Sequence, residues 1–265
     1  METSNPLAVV TGASSGIGYE LAKQFAEHGF DLIIAAEDEA LASAAAQLTA
    51  HGTGVQAVRT DLSTRDGVEE LHRAVVATRR PVAAVALNAG VGQGGAFLHT
   101  DLSDELQIID LNVTSTVHLA KRLLPGMVED GAGRMLITSS IASTMPGPFQ
   151  AVYNASKSFL QSFAQALQNE LKDTGVTVTS LMPGPTETQF FERADMLDTK
   201  VGRSDKDDPA QVAAQGFEAM MAGKDKAVAG SWKTRAQGLA NRVLPDSVKA
   251  QAHRGMAEPG SGADG

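Results

Sequence analysis

The feature that most constrains the fold is the alternation of short apolar runs with helical patterns along most of the chain. Seven runs have the length of strands and are mostly apolar instead of alternating regularly with polar residues. They occupy residues 7–10, 32–36, 55–59, 82–87, 134–139, 176–181 and 226–230. Strands of this kind, separated by helices, form a parallel sheet that helices cover on both faces. The sequence therefore predicts an α/β, doubly wound fold of the Rossmann type.

The chain length suits a single domain, which we place over residues 1–256. Within it, residues 187–208 carry many charges and few secondary-structure signals, and we interpret them as a lid over a binding site. The last segment, residues 257–265, is rich in glycine and is expected to be a flexible tail.

Composition argues against several classes of function. The chain has no cysteine, which removes disulfides, thiolate catalysis and cysteine-ligated metals, and its six histidines form no pair four residues apart. A net charge of −9 without a basic block argues against nucleic acid or an anionic membrane surface as the main partner. No apolar run approaches the ~18 residues of a membrane span. We therefore expect a cytoplasmic protein that binds neither metal, nucleic acid nor membrane.

A glycine-rich turn follows the first strand. The run Leu7–Val10 passes directly into Thr11–Gly18, with the spacing G-x-x-x-G-x-G, and a helical pattern continues to Gly29. Such a turn lets backbone N–H groups approach a phosphate, and the helix N-terminus adds a favourable partial charge. A tight turn that simply requires small residues is the alternative. The candidate phosphate-binding residues are Gly12, Ser14, Ser15, Gly16, Ile17 and Gly18.

Polar and small residues also follow other strands, at the edge where open parallel sheets bind ligands. Glu37 stands about 20 residues beyond the glycine turn, where a ribose 2′-hydroxyl would be met. Asp61 and Leu62 are placed to meet an adenine edge, although Asp61 also lies where the next helix begins. Residues 88–90 and 183–188 end two further strands.

A candidate for proton transfer lies at the same edge. Ser140 follows the fifth strand, and Tyr153 and Lys157 are four residues apart on one face of the next helix. A free tyrosine ionises near pH ~10, and a lysine ammonium nearby favours the phenolate. An ordinary surface helix would give the same spacing, but the motifs at the other strand ends favour a catalytic role. Asn112, inside a helix predicted over residues 103–128, is either solvated or functional.

Taken together, these segments resemble the short-chain dehydrogenase/reductase family in its ~250-residue, single-domain form. The resemblance covers Pro6 to Gly230. It rests on the TGxxxGxG turn, the Asn-Ala-Gly of residues 88–90, the helical Asn112, a serine thirteen residues before a Tyr-x-x-x-Lys motif, and a PGxxxT segment. Leu87 departs from the second asparagine that many members carry before the Asn-Ala-Gly. The resemblance implies an oxidoreductase that binds NAD or NADP in the domain over residues 1–256.

The resemblance also implies roles for individual residues. Tyr153 would be the acid in carbonyl reduction and the base in alcohol oxidation, and Lys157 would lower the pKa of Tyr153 and hold the nicotinamide ribose. Ser140 would bind the substrate oxygen, and Asn112 would order a water that relays protons to Lys157. The implied cofactor contacts beyond the glycine turn are Glu37, Asp61, Leu62, Asn88, Ala89, Gly90, Tyr153, Lys157, Pro183, Gly184, Thr186 and Thr188.

The residues near the second strand indicate which dinucleotide is bound. Family members that use NADP usually carry a basic residue either just after the second strand or just before the second glycine of the turn, where this chain has Glu37 and Ser15, and Ala36 stands where NAD users typically carry aspartate. A carboxylate at position 37 would repel a 2′-phosphate, so NAD is expected in preference to NADP. The alternative is that Glu37 turns outward and leaves the site indifferent.

The substrate is expected to be a small carbonyl compound or secondary alcohol. An apolar pocket is predicted from the residues Met145, Phe149, Phe190, Phe191, Met196 and Leu197, although these side chains would also serve simply to pack a lid. A homo-oligomer, dimer or tetramer, is implied through helices near residues 103–128 and 151–174. The alternative function is a catalytically silent nucleotide sensor or scaffold, which would be expected to have lost Ser140, Tyr153 or Lys157.

Overall fold

The computed structural model describes residues 5–241 and 244–264, and its centre is a seven-stranded parallel sheet. The strands are β1 (Leu7–Thr11), β2 (Asp31–Ala36), β3 (Val55–Arg59), β4 (Val82–Leu87), β5 (Gly133–Thr138), β6 (Val176–Pro183) and β7 (Lys226–Ala229). Their spatial order is β3-β2-β1-β4-β5-β6-β7, so the direction of winding reverses between β1 and β4. The predicted fold class and its seven strands are confirmed.

Helices cover both faces of the sheet. They are α1 (Gly16–Glu27), α2 (Ala40–Thr49), α3 (Arg65–Ala77), α4 (Leu102–Ile108), α5 (Ser115–Glu129), α6 (Ala151–Glu170), α7 (Phe190–Arg193), α8 (Lys200–Arg203), α9 (Pro209–Met221), α10 (Trp232–Ala240) and α11 (Asp246–Ala257). Successive side chains of a strand point to opposite faces, so Val9 packs with α3, α5 and α6, and Val10 packs with α1, α2 and α9. None of the helices in the described ranges is long and apolar enough to cross a membrane.

The helix predicted over residues 103–128 is interrupted. After α4 the chain forms a π-helical segment, Ile109–Thr114, before α5 begins. The wider turn of a π-helix carries an extra residue, and here it brings Asn112 to a fully buried position. The solvated interpretation of Asn112 is therefore wrong. Pro125 does not end the helix, because α5 continues to Glu129.

The C-terminal part is more regular than the sequence predicts. Residues 187–208 include α7 and α8, and α11 was not predicted. In place of the expected flexible tail, Ser261–Asp264 form a short 3-10 helix. This helix is held to the lid because the Asp198 carboxylate accepts from Gly260 N at 2.6 Å and the Asp198 carbonyl accepts from Gly262 N at 2.9 Å.

Candidate active site

A single cavity along the carboxyl ends of the strands brings the predicted site residues together. Every residue predicted for the cofactor or for catalysis lines this cavity, except Asn112. One end is formed by the glycine turn after β1, and the other contains Tyr153 of α6. The lid helix α7 and the C-terminal helices α10 and α11 complete the walls. The topology therefore places a phosphate-type turn and a tyrosine–lysine pair in one continuous space.

The glycine turn leaves room and hydrogen-bond donors for a ligand. Gly12 and Gly16 have φ angles of +66° and +56°, a conformation that side chains disfavour. A Cβ on Gly18 would overlap the carbonyl oxygen of Gly12, so the turn needs a residue without one. Ser15 begins α1, and no side-chain cap for this helix is found among the described residues. The backbone N–H groups of the first turn are thus available to the phosphates of a dinucleotide.

Asn88 joins three strands beneath the cavity. Its backbone N–H donates to Thr11 Oγ1 at 2.9 Å, and its side-chain Oδ1 accepts from Thr138 Oγ1 at 3.0 Å. These bonds connect the ends of β1, β4 and β5. Leu87, where many family members have a further asparagine, is buried in the core. The departure at this position is therefore a packing substitution.

A second carboxylate beside Glu37 lies at the end of β2. The Glu37 side chain is exposed, while Asp38 Oδ2 accepts a hydrogen bond from Ser14 Oγ at 2.7 Å. Arg193, from the lid, places Nη2 at 3.9 Å from the same Asp38 oxygen. Glu37, Asp38 and Arg193 all line the cavity. Sequence reasoning missed Asp38 and Arg193, because in a run of three acidic residues only the contact with Ser14 distinguishes Asp38.

Asp61 stabilises the turn before α3 and also lines the cavity. Its Oδ1 accepts from Ser63 N at 2.8 Å and from Ser63 Oγ at 2.7 Å. The cap of α3 is Thr64, whose Oγ1 accepts from Gly67 N at 3.0 Å. Asp61 therefore shapes the loop before the cap of α3, next to Leu62 in the cavity wall, and its contact with an adenine edge stays a prediction.

The catalytic candidates meet where β5 and α6 approach each other. Ser140 follows β5, and its Oγ accepts from Ala142 N at 3.1 Å while its hydroxyl also hydrogen-bonds to the Tyr153 side chain. Lys157 Nζ donates to the Thr138 carbonyl at 3.0 Å and lies 5.8 Å from the centre of the Tyr153 ring. Tyr153 also packs on Phe190 of the lid, with ring centres 5.1 Å apart. Tyr153 thus contacts the lid through Phe190 and lies close to the Lys157 ammonium.

Burial shifts both titratable groups of this pair. It raises the pKa of Tyr153 to about 12, and a hydrogen bond from Ser140 only partly opposes that rise. Burial also lowers the pKa of Lys157 to about 8. The resemblance implied that Lys157 lowers the pKa of Tyr153, but the pKa of Tyr153 is raised overall. The cause is desolvation of the phenolate, which outweighs the favourable contacts. At neutral pH Tyr153 is a protonated donor and Lys157 is mostly charged.

Asn112 orders the site from behind the cavity wall. Its Oδ1 accepts from Val91 N at 2.9 Å, and its Nδ2 donates to Val91 O at 2.9 Å and to Ser156 Oγ at 3.0 Å. Both amide hydrogens are used, so the side chain connects the loop after β4 with α6. A Cβ on Gly90 would lie 3.0 Å from Asn112 Oδ1 and 3.3 Å from Lys157 Nζ. The role of Asn112 in a water relay stays a prediction.

The substrate end of the cavity differs in part from the predicted pocket. Met145, Phe190 and Phe191 line it as predicted. Met196 is instead buried within the lid segment itself, and Leu197 is exposed. Phe149 has a φ of +63° and lies under Arg254, whose Cζ is 5.2 Å from its ring centre. Gln150 and, from the predicted lid, Val201 also line the cavity, and the lining residues that sequence reasoning missed are Ile141, Ala142, Gln237, His253, Met256 and Ala257.

Known proteins share this architecture. The family model for short chain dehydrogenases matches residues 6–197. The chain is 34% identical over 190 residues to sulfoacetaldehyde reductase 2 of Chromohalobacter salexigens, an alignment covering 69% of this chain and 74% of that protein. A short-chain dehydrogenase from Sphingobium yanoikuyae in complex with NADPH aligns with a TM-score of 0.78 at 27% identity, over 84% of this chain and 87% of that one.

A second solved structure carries the other dinucleotide. A short-chain dehydrogenase/reductase from Burkholderia phymatum in complex with NAD aligns with a TM-score of 0.77 at 28% identity, over 85% of this chain and 89% of that one. The nucleotide bound in these two structures differs, although their similarity to this chain is nearly the same. With the family model covering most of its length, the chain belongs to the short-chain dehydrogenase/reductase family of oxidoreductases.

Proposed function

We propose that the protein transfers a hydride between a nicotinamide dinucleotide and a small carbonyl compound or secondary alcohol, with Tyr153 as the acid and base. The observation that carries this proposal is the continuous cavity from the uncapped glycine turn to Tyr153, Ser140 and Lys157. The bound dinucleotide supplies or accepts the hydride. The chain supplies position, hydrogen bonds and the proton.

The protonated state of Tyr153 favours carbonyl reduction. Its raised pKa keeps the phenol protonated at neutral pH, so the phenol can donate to the oxygen of a carbonyl as charge develops there. The Ser140 hydroxyl, which hydrogen-bonds to Tyr153, can turn to donate to the same oxygen when a carbonyl is bound. The Lys157 ammonium offsets the charge of the phenolate that remains. In alcohol oxidation the same groups act in reverse.

NAD is the proposed cofactor in preference to NADP. Glu37 and Asp38 both line the cavity beyond the end of β2. A 2′-phosphate carries a charge near −2, and two carboxylates beside it would be unfavourable, whereas they can accept from free ribose hydroxyls. Arg193 is a cation that would attract a 2′-phosphate, but the nearby Asp38 carboxylate partly neutralises its charge.

Fluorescence titration of the protein with NADH and with NADPH tests the cofactor step, and a screen of ketones and alcohols then tests turnover. We expect tighter binding of NADH, and a loss of roughly 10³-fold in rate with retained NADH binding in Tyr153→Phe. A Tyr153→Phe protein that keeps its full turnover would refute the proposed role. Binding of neither dinucleotide would exclude this activity altogether. Binding without turnover of any ketone or alcohol would favour a sensor or scaffold.

We also propose that the protein assembles as a homo-oligomer, dimer or tetramer. Leu102, Leu106 and Ile109 are 70%, 48% and 41% exposed on α4 and the π-helical segment, and Phe159 of α6 is 44% exposed. Helices α4 and α6 contact each other, so these apolar side chains occupy neighbouring elements. A second copy that covers them would remove apolar surface from water. Light scattering tests this, and a monomer mass would overturn it.

A further inference from the structure

His253 occupies an unusual position in the cavity wall. It lies on α11, is only 5% exposed, and lines the same cavity as Tyr153 and Ser140. The family model ends at residue 197, so α11 belongs to a part of the chain beyond the matched region. A buried histidine at the substrate end of the cavity is available to a ligand but is not part of the hydride-transfer machinery described above.

The contacts of His253 define which of its ring nitrogens carries hydrogen. Nδ1 lies 3.1 Å from the carbonyl oxygen of Pro148. A carbonyl oxygen only accepts, so Nδ1 must be the donor. Burial lowers the pKa of His253 even though this hydrogen bond opposes the shift, so the ring is neutral at neutral pH. A neutral ring with hydrogen on Nδ1 carries an accepting lone pair on Nε2.

The Nε2 acceptor has no partner among residues 5–241 and 244–264. Much of the surrounding wall is apolar, with Met145, Phe191, Val201 and Met256 among the lining side chains. A polar atom in such a wall is unfavourable unless something donates a hydrogen bond to it. The arrangement therefore selects a ligand that carries a donor.

We propose that His253 Nε2 accepts a hydrogen bond from a hydroxyl or N–H group at the far end of the substrate. The substrate class is then an apolar ketone or secondary alcohol with a second, donating group removed from the reacting carbon. This inference rests on the proposed function, because the reacting carbonyl must lie at Tyr153 while the distal donor meets His253. Gln150 and Gln237, which also line the cavity, are the other polar groups available to that end of the molecule.

The test compares plain 2-alkanones, from 2-hexanone to 2-undecanone, with the matching ω-hydroxy-2-alkanones. At the chain length that spans Tyr153 to His253, the terminal hydroxyl should raise kcat/KM roughly tenfold, the effect of one well-formed hydrogen bond. At other lengths the hydroxyl should lower kcat/KM, since it loses water without gaining a partner. The affinities of the hydroxylated and the plain ketone for the enzyme–NADH complex can be compared in the same way, so the comparison does not depend on turnover.

Two variants separate binding from packing. His253→Gln can place a carboxamide oxygen near the position of Nε2, and it should keep part of the hydroxyl preference. His253→Asn keeps a donor near the position of Nδ1 for Pro148 but lacks the distal acceptor, and it should lose the preference. His51, which is exposed after α2, provides the matched control. His51→Asn should keep the full preference for the hydroxylated ketone over the plain ketone.

The outcomes distinguish this inference from the activity on which it rests. Turnover or binding of the alkanones with no gain from the hydroxyl at any length would overturn the role of His253 alone. An equal preference in the protein and in His253→Asn would overturn it as well. Absence of ketone turnover together with absence of binding of both NADH and NADPH would instead refute the proposed function.

Discussion

Lys157 donates a hydrogen bond from Nζ to the carbonyl oxygen of Thr138 at 3.0 Å, and the lysine is only 4% exposed. A charged ammonium in this position has lost nearly all of its contact with water. The lowered pKa of Lys157, about 8, expresses the free energy by which the folded protein disfavours the charge. The fold therefore holds the lysine proposed for catalysis in a place where its charged form is disfavoured.

Replacement of this lysine by methionine should remove a rise in the free energy of unfolding that the natural protein shows as the pH increases. The folded pKa of about 8 lies below the ordinary value of 10.5, so the unfavourable term is fully present below pH 8 and is relieved as the pH rises toward 10.5. Between pH 7 and pH 10, the free energy of unfolding of the natural protein should increase by about 2 kcal/mol more than that of Lys157→Met. Urea denaturation at the two pH values measures this difference. Lys121→Met, at an exposed position of α5, is the control, and parallel pH dependences for Lys157→Met and the natural protein would contradict the prediction.

Carbonyl reduction should depend on the same titration. As the pH rises through about 8, Lys157 loses the charge that offsets the developing phenolate, so kcat for reduction should fall. Alcohol oxidation needs the phenolate of Tyr153, whose pKa is raised to about 12, so its rate should still be rising near pH 10. Initial rates in both directions from about pH 6 to pH 10 measure the two profiles. A reduction rate that stays constant across this range would show that the charge of Lys157 is not required.

The glycine turn should tolerate no added methyl group at Gly18. A Cβ there would overlap the Gly12 carbonyl oxygen, so Gly18→Ala should lower the free energy of unfolding by ~2 kcal/mol or more and weaken NADH binding at least tenfold. Gly126, inside α5, has no atom within 4 Å of the corresponding position. Gly126→Ala should stabilise the protein by ~1 kcal/mol and leave NADH binding unchanged. Thermal denaturation and NADH fluorescence measure both effects, and equal behaviour of the two variants would contradict the steric argument.

Cofactor preference should respond to Asp38 and Glu37, which line the cavity, and not to Glu39. Asp38→Asn keeps an oxygen for Ser14 but removes the charge, so the ratio of kcat/KM for NADPH to that for NADH should rise roughly tenfold. Glu37→Arg should move the ratio in the same direction, while Arg193→Ala should lower it. Glu39→Gln is the control, because the Glu39 carboxylate pairs with Arg59 at 3.3 Å. A ratio that Asp38→Asn leaves unchanged would exclude Asp38 from the selection of the nucleotide.

Much of the fold could be predicted because its determinants are local. The strand from Val82 to Leu87 is an apolar run that ends at Asn88, and the same kind of boundary ends several other strands. Parallel strands must place their carboxyl ends at one edge, so Ser140 and the glycine turn could be brought together without coordinates. The positions of these residues follow from topology more than from any side-chain contact.

What the sequence did not predict depends on contacts between distant segments. The π-helical turn at Asn112 adds one residue to a helical period, and only the bonds to Val91 and Ser156 reveal it. The pKa of Tyr153 depends on how completely the surrounding chain excludes water. His253 follows no motif, and its helix is placed by bonds such as Lys249 Nζ to the Thr144 carbonyl at 3.0 Å.

The packing of α11 against the cavity bears on how the substrate range of this protein can change during evolution. The groups proposed for hydride transfer lie between Gly12 and Thr188, whereas His253 and Met256 come from a segment near the C-terminus that packs against the loop after Ser140. Part of the wall at the substrate end thus comes from a segment apart from the groups proposed for chemistry, although Met145 and Phe190 line that end as well. We expect that exchange of the segment containing α10 and α11 can change which molecules fit the cavity while leaving the groups proposed for hydride transfer in place.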